Sequence, residues 1–248
     1  MYRYNAKFLN YAAHVSRHSA EEIVSILLRS LAIDSVLDVG CAKGTWLNVW
    51  QKHGATCTHG VDGSYVDQTT LEIPRLSFSA IDLNRPFDLG RTFDLVQSLE
   101  VAEHLPRENS EQFVDSLCRH SGAYVLFSAA PPGQGGENHI NERPYDFWRD
   151  LFAARGYVCV DAIRPLILKD PTIPYWYRYN ILLFVRESAL PGVPDAMKLH
   201  LVPTTQRLKD VSPPPFRIRK ALVRCLPSIL QNAIARTKAL LFGGDLAV

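Results

Sequence analysis

Short apolar runs and longer amphipathic ones alternate along the chain. Runs rich in β-branched and aromatic residues recur at 35–39, 56–61, 76–81, 93–98, 123–127, 157–163 and 179–185. Each has strand length and is bounded by turn formers. Between them, apolar positions at helical spacing predict helices over 45–52, 109–120 and 145–155. A further helix is expected to open at Ser19, where Ser19-Ala20-Glu21-Glu22 reads as a capping box ahead of Ile23, Ile26, Leu27 and Leu31, and to end before Ile33. Strand alternating with helix points to an α/β domain built round a mostly parallel sheet, with helices on both faces.

After Arg186 the texture changes. Pro191, Pro194, Pro203 and the run Pro213-Pro214-Pro215 punctuate the chain, so 187–215 reads as an irregular connector. Beyond it, Ile229, Leu230, Ala233, Ile234, Leu240 and Leu241 recur at helical spacing between Ser228 and Gly243-Gly244, an amphipathic terminal helix. Three parts follow: an N-terminal helical cap over 1–34, a central domain over 35–186, and a connector with a helical tail over 187–248. Residues 187–248 carry nine basic and four acidic side chains, against 18 and 21 in 1–186. The tail helix has two readings, one packed on the domain or on a second subunit as in a homodimer, the other a basic element docked on a membrane surface or a protein.

Composition narrows the field further. With 248 residues, 47% of them hydrophobic and 21% charged, the chain has ordinary globular usage and enough length for a large core. A net charge of +2 gives no field that would make nucleic acid the expected partner. The five cysteines are scattered without a C-x-x-C pair, so neither a disulfide framework nor a zinc cluster is signalled, and a reducing cytoplasm fits. The opening MYRYNAKFLNYAAH lacks a signal-peptide core, and no segment approaches the ~18 uninterrupted apolar residues of a membrane span.

The most informative stretch is Ser35-Val36-Leu37-Asp38-Val39-Gly40-Cys41-Ala42-Lys43-Gly44-Thr45-Trp46-Leu47. A strand carrying one carboxylate runs into a loop bracketed by glycines and then into a helix, so backbone can approach a ligand at the strand's carboxyl end. A dinucleotide loop would read G-x-G-x-x-G/A. Here Ala42 and Thr45 stand where its second and third glycines would be, which disfavours a dehydrogenase. Asp62, followed by Gly63, closes the second strand 22 positions after Gly40, where a carboxylate can accept both hydroxyl hydrogens of a ribose. Asp82, ahead of Leu83, closes the third and could accept from an adenine amino group.

At these positions the chain resembles the class I S-adenosylmethionine-dependent methyltransferases. The residues that carry the resemblance are VLDVGCAKG, Asp62, and the segment Phe93-Asp94-Leu95-Val96 followed by Glu100-Val101-Ala102-Glu103-His104-Leu105. It covers about 35–186 and implies a Rossmann-like, seven-stranded sheet with a reversed last strand, S-adenosylmethionine over the strand ends, and methyl transfer. The cofactor contacts implied are Asp38, Gly40, Cys41, Ala42, Gly44 and Trp46 in the loop region, Asp62 and Gly63 on the ribose, and Asp82 and Leu83 near the adenine. Gln97 and Ser98 would lie beside the reacting centre. Tyr4, Tyr11, His14, Arg17 and His18 stand ahead of the first helix as a lid.

An acceptor hydroxyl needs alignment and a proton acceptor. The long polar segment 128–145 supplies candidates: His139 as base, Asn141 or Glu137 to orient it or bind the acceptor, with Glu103 and His104 from the fourth-strand segment. Its A-x-P-x-Q-G-G-x-x-H-x-N-E pattern, followed by Tyr145 and Trp148, looks like a subgroup of bacterial methyltransferases placed with glycan or natural-product biosynthesis, which implies a sugar hydroxyl acceptor. Tyr175, Trp176 and Arg178 offer aromatic faces beside a cation, and Arg143 is a second group for a phosphate or carboxylate. No metal requirement is expected, since no H-x-E-x-x-H or Cys/His cluster appears. A divalent ion would need Glu103, His104, His139 and Glu137 to converge. The reading is thus a cytoplasmic O-methyltransferase using S-adenosylmethionine on a sugar, a glycan precursor or another small molecule. N- or C-methylation, and a non-catalytic adapter docking through the basic tail, are the alternatives.

Overall fold

The computed structural model describes residues 6–227 and residue 230, and side chains from Val15 onward. Helix α1 (Ala6–Leu28) leads into β1 (Ser35–Val39), α2 (Thr45–Lys52), β2 (Cys57–Asp62), β3 (Phe78–Ala80) and β4 (Phe93–Leu99). Then come α3 (Ser110–His120), β5 (Ser121–Ser128), α4 (Tyr145–Ala153), β6 (Tyr157–Val160), α5 (Arg164–Ile167), α6 (Tyr175–Asn180) and β7 (Leu182–Arg186). The chain continues through α7 (Asp195–Lys198), β8 (Leu201–Val202) and α8 (Pro214–Arg224). All eight strands form one sheet in the order β3-β2-β1-β4-β5-β7-β6-β8. Strands β1 to β5 pair in parallel, β7 runs antiparallel between β5 and β6, and β8 lies antiparallel on β6.

The central strands are apolar on both faces because helices cover both. Val36, Leu95, Leu126 and Leu183 pack with Ile23, Val24 and Leu27 of α1 and with Leu47 and Trp50 of α2. Their neighbours Leu37, Val96, Val125 and Phe184 pack with Phe113 and Leu117 of α3 and Trp148 and Phe152 of α4. The period of two along each strand thus separates two cores, the pattern of a parallel sheet buried on both sides.

Four expectations need correction. Helix α1 runs through Ser19 instead of starting there: the side chain is fully buried and its hydroxyl makes no hydrogen bond. Burial of the stripe Ala20, Ile23, Val24 and Leu27 outweighs a local capping preference. Tyr179 belongs to α6, not to the last strand, which starts at Leu182. The sheet has eight strands, because the supposed connector supplies β8, whose Leu201 and Val202 pair with Val160 and Cys159. Lastly, Pro214 and Pro215 form the first turn of α8, where a missing N–H costs nothing. The amphipathic helix expected from Ser228 onward, the side chains of Tyr11 and His14, and all of Tyr4 lie outside the described residues, Leu230 excepted.

Candidate active site

The strand ends converge above β1, β2 and β4. Gly40, Ala42 and Gly44 all have positive φ (87°, 48° and 80°), so the loop coils tightly before α2. A side chain at either glycine would strain the loop and displace a neighbour: a Cβ on Gly40 would lie 2.3 Å from Cγ2 of Val101, and one on Gly44 2.8 Å from Cγ1 of Ile73. The loop is fastened to β2 as Gly40 and Cys41 N–H donate to the Val61 carbonyl and Ala42 N–H donates to Asp62 Oδ2 at 2.7 Å. Asp62 Oδ1 accepts from Gly63 N–H at 2.6 Å and from the Tyr65 hydroxyl at 2.5 Å.

Asp38 is buried on β1, and burial raises its carboxyl to about pKa 7, opposed by the Gln97 amide and reinforced by the charge of Asp62. Asp62 is raised too, by burial, although Tyr65 and the Ala42 and Gly63 N–H groups favour its charged form. Gln97 accepts from Trp50 Nε1 at 2.8 Å, and the Ser98 hydroxyl donates to the Val39 carbonyl at 2.9 Å, so both belong to the floor of the site. The buried Trp46 packs edge-on against Tyr177. The Cys41 sulfur faces Gly60, and burial pushes the thiol far up, so it serves as packing. Leu83 is buried. Asp82 is exposed and accepts from Asn84 N–H and Nδ2, with Arg85 3.9 Å away.

Glu100 follows β4 with a positive φ of 56°. Its carboxylate accepts from Gln134 Nε2 at 2.9 Å and Asn180 Nδ2 at 3.1 Å. Glu103 is fully buried. Neither of its oxygens closes a hydrogen bond of acceptable geometry, although the Ala130 N–H and its own favour the charge. Burial and the neighbouring Glu100 push Glu103 well above the ordinary carboxylate range. One ligand-capable atom from each of Glu103, His104 and His139 lies within 4.8 Å of the others. The two imidazoles meet edge to face with centroids 4.9 Å apart. Burial and His139 lower His104 to about pKa 3, so it is neutral.

The 128–145 loop reaches this cluster because it is pinned to it. Ile140 and Asn141 N–H groups donate to the Glu103 carbonyl. Glu142, which sequence reasoning left without a role, accepts from Gly133 N–H, Gly135 N–H and His139 Nδ1 at 2.6 to 2.9 Å. Asn141 donates to the Ala102 carbonyl and the Ser110 hydroxyl, which makes it a brace. Glu137 is half-buried in the loop and is not among the three converging groups.

The other expected acceptor contacts are dispersed. Arg143 stacks over Phe147 at 4.2 Å. Tyr145 is buried and donates to Asn180 Oδ1. Tyr175 packs between Trp176 and Phe216 of α8, and Arg178 lies over Tyr179 and donates to the Leu168 carbonyl. Arg17 reaches the cofactor-side loops, pairing with Glu72 at 2.6 Å, whereas His18 bonds Thr172 at the rim. Missed by sequence reasoning were Tyr65, Val101, Gln134, Glu142 and Asn180. Of these, Gln134 and Glu142 stand in the Q-G-G-x-x-H-x-N-E pattern and Val101 in the fourth-strand segment, whereas Tyr65 and Asn180 had no local signal.

A glycine loop at the first strand end, carboxylates on the first two strands and a reversed seventh strand define a class I methyltransferase. The family described as "Methyltransferase domain" matches residues 3–162, and the chain belongs to it. Members of this class take their methyl group from S-adenosylmethionine, and the cradle fits that group: glycine backbone, two buried carboxylates and the Gln97–Ser98 floor are all present. Among solved structures, the magnesium protoporphyrin IX methyltransferase of Synechocystis PCC 6803, crystallised with S-adenosylmethionine, is 22% identical with a TM-score of 0.51, over 69% of this chain and 80% of that one. An amino pentose methyltransferase from Micromonospora echinaspora, involved in calicheamicin biosynthesis, is 15% identical with a TM-score of 0.51, over 75% and 98%. A sugar N-methyltransferase from Streptoalloteichus is 18% identical with a TM-score of 0.50, over 72% and 87%. No curated protein matches the sequence significantly. Among the described residues, no helix is long and apolar enough to cross a membrane.

Proposed function

We propose that the protein O-methylates a sugar, a glycan precursor or a similar small hydroxylated molecule. The observation that carries this reading is the convergence of Glu103, His104 and His139 directly after β4, next to Val101, which packs on the glycine loop. When bound, S-adenosylmethionine supplies a methyl group already activated on a sulfonium. Asp38 would hold its ammonium end, Asp62 its ribose, and Asp82 and Leu83 its adenine. What remains for the chain is to orient a hydroxyl and dispose of its proton, and His139 would take that proton as general base. Glu142 holds the imidazole through Nδ1, and with that hydrogen bond as an N–H donor the basic nitrogen is Nε2.

The sugar class is supported by the acceptor-loop pattern and by two of the similar structures, whose proteins act on an amino pentose and as a sugar N-methyltransferase. The test is transfer of a radiolabelled methyl group from S-adenosylmethionine to a panel of sugars, nucleotide sugars and their amino analogues. Label in a hydroxyl-only sugar is the expected result. Label confined to amino sugars would replace O- by N-methylation, and label in none would end the sugar reading.

A further inference from the structure

We propose that Glu103, His104 and His139 form a binding site for a first-row divalent cation such as Mn²⁺, Fe²⁺, Co²⁺ or Zn²⁺. One ligand-capable atom from each residue lies within 4.8 Å of the other two, close enough for a single ion to bridge all three. Two imidazoles and one carboxylate are a ligand set for these borderline metals, whereas Mg²⁺ and Ca²⁺ prefer oxygen throughout.

Two further observations point to a ligand. The Glu103 carboxylate is fully buried, and neither oxygen closes a hydrogen bond, an expensive arrangement unless something else meets it. The Nδ1 atoms of both histidines already face acceptors, the Asn138 carbonyl at 3.2 Å for His104 and the Glu142 carboxylate at 2.9 Å for His139. Such outer contacts fix the tautomer and direction of metal-binding histidines. Gly136 leaves room for the His139 ring, since a Cβ there would lie 2.1 Å from Nε2.

The inference rests on the O-methylation reading only for its use: a cation here would take the acceptor oxygen as a further ligand. The hydroxyl would lose its proton to solvent as the metal–oxygen bond forms, and His139 would then act as a ligand in place of a base. Binding itself needs no acceptor, so it is tested separately. The full chain, stripped with a chelator, is titrated with Co²⁺ and with Mn²⁺ by calorimetry, and the visible spectrum of the Co²⁺ form is recorded. One equivalent should bind, and Glu103→Gln and His139→Gln should each weaken it at least tenfold while S-adenosylhomocysteine affinity stays within about twofold. If a variant does not fold, pulsed electron paramagnetic resonance of the Mn²⁺ form of wild-type protein labelled with nitrogen-15 histidine decides, two coordinated nitrogens being expected. A wild-type protein that binds S-adenosylhomocysteine but neither metal overturns the site, as does metal binding indifferent to both folded variants or lacking histidine nitrogen. Metal bound without any sugar methylated leaves the site standing and sinks the acceptor reading.

Discussion

The cofactor side and the acceptor side of the site are built on opposite plans. Around the glycine loop, charge is met by the chain's own donors: Asp62 is held by the N–H groups of Ala42, in the loop after β1, and of Gly63, and by the Tyr65 hydroxyl. Around Glu103, His104 is the next residue and His139 comes from the 128–145 loop, and neither oxygen of the central carboxylate closes a hydrogen bond. The Asp62 network is closed before any ligand arrives. The Glu103 cluster is closed only when something joins it, and the two halves should therefore respond differently to substitution.

The largest expected effect lies on the cofactor side and depends on pH. The raised pKa of Asp38, about 7, means that the native state holds this proton more tightly than the unfolded chain does. The contribution is fully present below about pH 4 and is lost as pH rises to about 7, at up to ~1.4 kcal/mol per pH unit. His104, held neutral down to about pH 3, contributes the opposite slope over much of that window, so the readout is the stability of the ligand-free wild type relative to Asp38→Asn in denaturant melts, which should fall as pH rises from about 4 to 7. Because the cofactor's ammonium favours the charged carboxylate, S-adenosylhomocysteine affinity should instead rise over the same window. An affinity that falls with pH would place the ammonium elsewhere.

Next in size, Asp62→Ala should weaken S-adenosylhomocysteine binding about a hundredfold in calorimetry, the scale of a lost charge-assisted contact of roughly 3 kcal/mol. A change under threefold would remove Asp62 from the cofactor site. On the acceptor side, His139→Ala should cut turnover at least tenfold and leave that affinity unchanged, so the two variants together separate the halves. Equal losses of affinity in both would show that the division is false. The smallest effect is expected from Arg17→Ala, which removes a half-exposed ion pair with Glu72. It should cost under about 1 kcal/mol in stability and raise the S-adenosylhomocysteine Kd no more than about threefold.

The same division explains what the sequence discloses. The loop from Val36 to Trp46 is legible because its strand, turn and helix are contiguous, and positive φ at Gly40 and Gly44 is what glycine at those places foretells. Ser19 misleads because a capping box is a local signal and the burial of α1 is a tertiary one. On the acceptor side His139 is recognisable by type and loop context, but its meeting with Glu103 depends on Ile140 and Asn141 donating to the Glu103 carbonyl. Likewise Asn180 reaches Glu100 across 80 residues, with no local pattern to announce it.

The short strand β8 has a consequence for how this protein keeps to itself. Without it, β6 would end the sheet as an open row of N–H and C=O groups, a template for other chains. Two half-buried residues form the cover, and Val193, Met197 and Leu208 from the same stretch are buried. A fragment cut at Arg186, the last residue of β7, would therefore carry the whole glycine loop and both carboxylates yet expose a sticky edge. Its failing would be self-association in solution, with the chemistry of the cradle intact.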